Sequence, residues 1–142
     1  MKMSIEDKIK EIAQSNFQQC SYVFDDWYSA TEVVDRVEFP VIMSILPNGG
    51  QLDFSKGILK DSENLMIAFI DKVERDANGE DNKEVYTRMK ETASQFINAM
   101  NKSNFFEPIE GVKYNTILER ATSYFTGVVI EFSVKQSVGV CL

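Results

Sequence analysis

Leu59 to Asp76 reads LKDSENLMIAFIDKVERD, and the fold turns on how this stretch is taken. From Leu65 to Val73 it has the pattern of a β-strand, with Leu65, Ile67 and Phe69 on one face and Met66, Ala68 and Ile70 on the other. A strand with one solvated face alternates apolar and polar residues. This one is apolar on both, so its centre must be buried from two sides. One side is expected to meet helices. The other requires either more of the same chain or another subunit, and Met66, Ala68 and Ile70 are either core or an interface.

Two helices flank this strand in the sequence. Ser4 precedes a run in which Ile5, Ile9, Ile12, Ala13 and Phe17 recur at steps of three and four, the spacing of one helix face. Ser4 and Asp7 approximate a capping box, and Lys8, Glu11, Gln14 and Ser15 form the polar side, so this helix is expected to lie across a sheet with one wet face. A second, longer helix is predicted from Asp81 to about Asn101, capped by Asp81 with Glu84 as partner, and with Val85, Met89, Ala93, Phe96 and Met100 facing inward.

The remaining segments read as strands. Tyr22 to Trp27 is a short strand or an irregular aromatic segment. Val37 to Leu46 alternates, and Pro40, which has no N–H to donate, predicts an edge position or a bulge. Pro47 to Asn64 is a flexible contact arm or a hairpin containing Leu52–Phe54. Val112 to Leu118 and then Val128, Ile130, Phe132 and Val134 alternate as an antiparallel closing pair. The predicted fold class is α+β: a mostly antiparallel β-sheet with two helices packed on one face, in the order α-β-β-β-α-β-β, as one domain over residues 1–142.

Composition narrows the function classes. A chain of 142 residues with ten Phe and five Tyr has the means to bury a core. The net charge of −7 argues against nonspecific nucleic-acid binding, and Lys2, Lys8 and Lys10, interleaved with Glu6, Asp7 and Glu11, read as a solvated helix face. The only cysteines, Cys20 and Cys141, make no disulfide framework and read as thiols of a reducing cytosol. The N-terminus has no signal-peptide pattern, and the longest apolar run, Leu65 to Ile70, is too short to span a membrane, so the chain is expected to be cytoplasmic at synthesis.

Chemistry is sparse. Without histidine there is no Ser-His-Asp or Cys-His nucleophile and no His-containing zinc site, and no phosphate-cradling glycine motif occurs. Glu74 to Val85 approaches a calcium loop, with Asp76, Asn78 and Gly79 at the third, fifth and sixth positions. Val85 stands where the bidentate glutamate belongs, so the segment is expected to be a strand-to-helix loop whose acids cap the helix. Asp25 and Asp26 are paired carboxylates, but neighbours in a strand point to opposite faces and would not share a pocket. Met43, Met66, Met89, Met100 and Trp27 read as core. No catalytic, cofactor-binding or metal-ligating residue is assigned, and no cofactor is expected.

The segment Tyr114 to Gln136, YNTILERATSYFTGVVIEFSVKQ, joins a strand, a short break and a second strand in which Thr126, Gly127 and Val128 precede Ile130 and Phe132. With the order of elements along most of the chain, it resembles the tail terminator family of tailed bacteriophages, a group of neck and tail-completion proteins. The resemblance implies a non-enzymatic virion structural protein, phage- or prophage-encoded. Such a subunit self-associates into a ring, commonly a hexamer, that contacts tail-tube and head-connector proteins in head–tail joining. An acidic ring would also place negative potential around a channel for DNA. A different reading is a small-ligand-binding α+β domain of a bacterial cytoplasmic protein, its pocket lined by Tyr22, Phe24, Trp27, Tyr114 and Tyr124. The remaining one is an enzyme with an acid-based site at Asp25 and Asp26.

Overall fold

The computed structural model describes residues 4–46, 49–120 and 124–140. Its elements are α1 (Ile5–Asn16), β1 (Ser21–Asp25), α2 (Trp27–Val33) continued by a 3-10 turn (Val34–Arg36), β2 (Val41–Ile45), β3 (Gly50–Ser55), β4 (Ile58–Lys72), α3 (Gly79–Ser103), β5 (Lys113–Arg120) and β6 (Tyr124–Val140). The six strands form one sheet in the order β1-β2-β4-β6-β5, with β3 pairing β4 off this path. All pairs are antiparallel except β1 with β2, which run parallel around α2.

The α+β class and the largely antiparallel sheet match the expectation from sequence. The expected helix count and element order need correction, because α2 inserts after β1 and packs on the sheet face opposite α1 and α3. On that second face Ala30 and Val34 meet Val41, Met43, Ala68, Ile70, Phe125 and Val129. Ala68 and Ile70 are therefore covered by their own chain, and Met66 is partly buried beside them, so this part of the sheet is core and not a free interface. The reason is topological: two parallel strands need a crossover, and the crossover helix falls on the face left open by α1 and α3.

The first face carries the larger core. Helix α1 begins in a capping box: Ser4 Oγ accepts from the Asp7 amide at 3.1 Å, and the Asp7 carboxylate accepts from the Ser4 amide at 3.3 Å. It buries Ile5, Ile9, Ile12 and Ala13, as the periodicity requires. Helix α3 buries Val85, Met89, Ala93, Phe96 and Met100. Phe96 sits between Phe17 and Phe69, each ring centroid 5.4 Å away, which ties both helices to the central strand. Helix α3 starts one turn earlier than predicted. Asn78, rather than Asp81, is the cap, and Asp81 is its reciprocal partner at 3.0 Å in both directions. The earlier cap satisfies amides that would otherwise open the helix with no acceptor.

Two strands also differ from their predicted bounds. β2 starts at Val41 and lies between β1 and β4, so it is neither an edge nor bulged at Pro40. Pro40 precedes the ladder, where its missing N–H costs nothing, and its carbonyl accepts from Ser21 N at 2.9 Å. β4 extends back to Ile58, well before Leu65. Residues 49–64 are thus a hairpin with Lys56 and Gly57 at its tip, while Pro47 lies outside the described residues. Both tip residues have positive φ, 55° and 77°, as a two-residue turn between twisted strands demands.

β6 crosses the sheet beside β4 along its full length, and Val128, Ile130, Phe132 and Val134 point to the α1–α3 core. Gly127 is required at this crossing, since a Cβ there would stand 1.9 Å from the carbonyl oxygen of Phe69.

Candidate functional site

The residues singled out for possible chemistry do not converge. Asp25 Oδ1 accepts from the Asp26 amide at 2.9 Å, and Asp26 caps α2 by accepting from the Ser29 amide at 2.8 Å and the Ser29 hydroxyl at 3.1 Å. Both carboxylates are occupied with the backbone of one turn. In the calcium-like loop, Asn78 and Asp81 are engaged in the helix cap. Among the described residues, no group of three or more His, Cys, Asp or Glu is placed to hold a metal ion, and no helix is long and apolar enough to cross a membrane. Cys20 is a half-buried thiol pushed up from its ordinary pKa by burial and then by Asp71, which makes it a poor nucleophile; Cys141 lies outside the described residues.

The five aromatics proposed to line one pocket are also dispersed. Tyr22 packs against the α1–α3 core and Trp27 against the opposite one. Tyr114 lies on the edge strand β5 with the Lys90 ammonium 5.0 Å from its ring centroid. Tyr22 and Phe24 share a groove, about 650 Å³ and open to solvent, whose other wall is the first turns of α1. There the Tyr22 hydroxyl is buried and makes no hydrogen bond of ordinary geometry. Burial, helped by the charges of Glu6 and Asp7 and opposed by the neighbouring Ser44 hydroxyl, pushes its pKa up to about 12.

Lys8 departs from the solvated face expected for it. Its ammonium lies 5.7 and 5.6 Å from the ring centroids of Phe105 and Phe106 and hydrogen-bonds Gln136 on β6. The aliphatic stem of a lysine covers apolar surface readily, and here it joins α1 to the segment following α3. Lys2 lies outside the described residues.

The surface is most distinctive at the sheet's edges. At one end of the strand path Phe24 on β1 and Leu46 just after β2 are exposed; at the other end Tyr114 and Leu118 on β5 are exposed. A third patch lies on the β3–β4 hairpin, where Leu52 is 57% and Phe54 is 69% exposed, with Ile58 near the tip. Leu52 pairs with Asp61 and Phe54 with Leu59, which puts these four side chains on the α1 side of the sheet.

At the root of this hairpin Glu6, Asp61 and Glu63 gather around a notch of about 480 Å³, completed by Gly49, Gly50 and Leu52. Glu63 holds its proton up to about pH 7. Burial is the largest cause, followed by the Glu6 carboxyl beside it and the charge of Asp61. The sequence carried no signal for this gathering, because Glu6 is 57 positions from Glu63 and meets it only when α1 lies across β4.

No protein-family model matches the sequence, and comparison with curated proteins gives no match.

Proposed function

We propose that this chain is a non-enzymatic assembly subunit of the tailed-phage neck, of the tail-terminator type. It forms a ring through its sheet edges and joins a tail tube to a head connector. The observation that carries the reading is the placement of exposed apolar side chains at both ends of the strand path, Phe24 and Leu46 at β1 and Tyr114 and Leu118 at β5. Different surfaces at opposite ends suit a head-to-tail contact, and such contacts close into rings when the rotation per subunit allows. The outer edges of β1 and β5, unpaired among the described residues, supply the hydrogen bonds of that contact, and the apolar side chains supply its burial.

The test is assembly in the presence of the tail-tube and connector proteins from the same gene cluster, followed by light scattering and electron microscopy. Closed rings are expected, and Leu118→Glu or Phe24→Glu should abolish them without unfolding the subunit. A chain that stays monomeric with both partners present, or rings unaffected by either substitution, would refute this reading.

A further inference from the structure

We propose that the free edge of β3 receives an extended segment of another protein, added as a strand and carrying apolar and cationic side chains on its α1-facing side. The ring assignment above uses β1 and β5, and this inference holds whether or not that assignment does.

The backbone defines the acceptor. Among the described residues β3 pairs only with β4, which leaves its other edge unpaired by them. The Gly49 carbonyl accepts from the Asn64 amide at 2.9 Å, which sets the phase of the antiparallel ladder. With alternation from that point, the N–H and C=O groups of Gly50, Leu52 and Phe54 point away from β4. These are the groups that an incoming strand pairs with. Native edges are commonly protected by Pro, a bulge or a charge aimed outward, whereas the residues here with outward amides are Gly, Leu and Phe.

The side chains define the occupant. Leu52 and Phe54 flank the edge on the α1 side, largely in water, and offer apolar contact toward the hairpin tip. Toward the root, the notch beside Gly50 is walled by Glu6, Asp61 and Glu63, and no lysine or arginine lines it among the described residues. Lys60 faces the other side of the sheet, paired across the strands with Asp53 and bridged to Glu107 at 3.1 Å. A strand with an apolar residue beside Phe54 and a lysine or arginine beside Gly50 matches both halves of this surface. A second copy of this chain does not: each copy carries a net charge of −7 and would bring another set of carboxylates to the same edge.

Proton linkage gives an independent readout. The groups facing Glu63 are Glu6 from α1, Asp61 along its own strand, and uncharged Gly50 and Val134 across from it. A cation entering the notch favours the ionised carboxylate, so binding displaces the Glu63 proton and tightens as pH rises toward about 7.

The probe is the capped peptide Lys-Thr-Val-Thr-Val-Thr, with a twin in which Glu replaces Lys, titrated into the isotope-labelled full chain and followed by amide NMR. Shifts centred on Gly50, Leu52 and Phe54 are expected, with affinity at least tenfold higher for the Lys peptide and increasing from pH 5 to pH 7.5. Leu52→Pro removes one outward N–H and should weaken binding at least tenfold. Glu63→Gln, which leaves the backbone intact, should weaken the Lys peptide and not the Glu twin. Equal affinity for the two peptides, or shifts located elsewhere, overturns the proposal. So does self-association that Leu52→Pro abolishes, which would give the edge to a second copy.

Discussion

Neutralising Glu63 should stabilise this protein at alkaline pH and leave it nearly unchanged in acid. In the fold, Glu63 retains its proton up to about pH 7, against an ordinary value of 4.5. Between those two pH values the folded chain binds a proton that the unfolded chain has released. Stability from this group is therefore complete below pH 4.5, falls as pH rises, and is lost above about pH 7. The full shift corresponds to about 3 kcal/mol at 1.36 kcal/mol per unit. Water reaches a large part of the Glu63 side chain, and screening reduces that figure to about 1 kcal/mol. Glu63→Gln should thus raise stability at pH 8 by about 1 kcal/mol, or roughly 4 °C in Tm for a chain of this size. At pH 4 the two proteins should melt within about 1 °C of each other by the same relation. Urea unfolding of both proteins from pH 4 to pH 8 reads this contribution together with its effect on Glu6 and Asp61, because groups remote from Glu63 contribute equally to both proteins. A difference that does not change with pH, or a less stable glutamine variant at pH 8, would refute the argument that burial, with Glu6 and Asp61 beside it, holds the proton on Glu63.

Other substitutions test the packing. Gly127→Ala places a methyl group 1.9 Å from the Phe69 carbonyl oxygen and must part β6 from β4; a loss of about 3 kcal/mol is expected in chemical denaturation. Phe96→Ala removes the ring between Phe17 and Phe69 and should cost about 3–5 kcal/mol, with loss of near-ultraviolet circular dichroism. Asn78→Ala deletes the α3 cap and should cost about 1 kcal/mol, with faster amide exchange confined to the first turn of that helix. Arg88→Ala breaks an exposed pair with Asp71 and should change stability by less than about 1 kcal/mol, an effect that added salt removes.

Several elements could be read without any tertiary information because their signals are local. The buried stripe of α3, the Ser4 cap and the two apolar faces of Leu65–Ile70 all follow from spacing along one segment. Helix α2 could not be read this way. It has seven residues, too few for a period to repeat, and of those only Ala30 is fully buried. The polar half of β4 carries no local signal for a related reason: Lys60, Asp61, Ser62 and Glu63 lack strand patterning, and pairing with β3 and β6 holds them extended. Lys8 looked solvated because the rings that it covers come from a segment nearly a hundred positions later.

The sequence by itself determined an acidic α+β chain with two amphipathic helices and a central strand that had to be covered twice, since periodicity and charge are properties of neighbouring residues. Only the tertiary structure decided which element covers the second face, which strands are left with open edges, and that Glu6, Asp61 and Glu63 meet at the root of a hairpin. Those outcomes depend on pairing between segments far apart in the chain, and the burial that favours one pairing over another exists only once the sheet has formed.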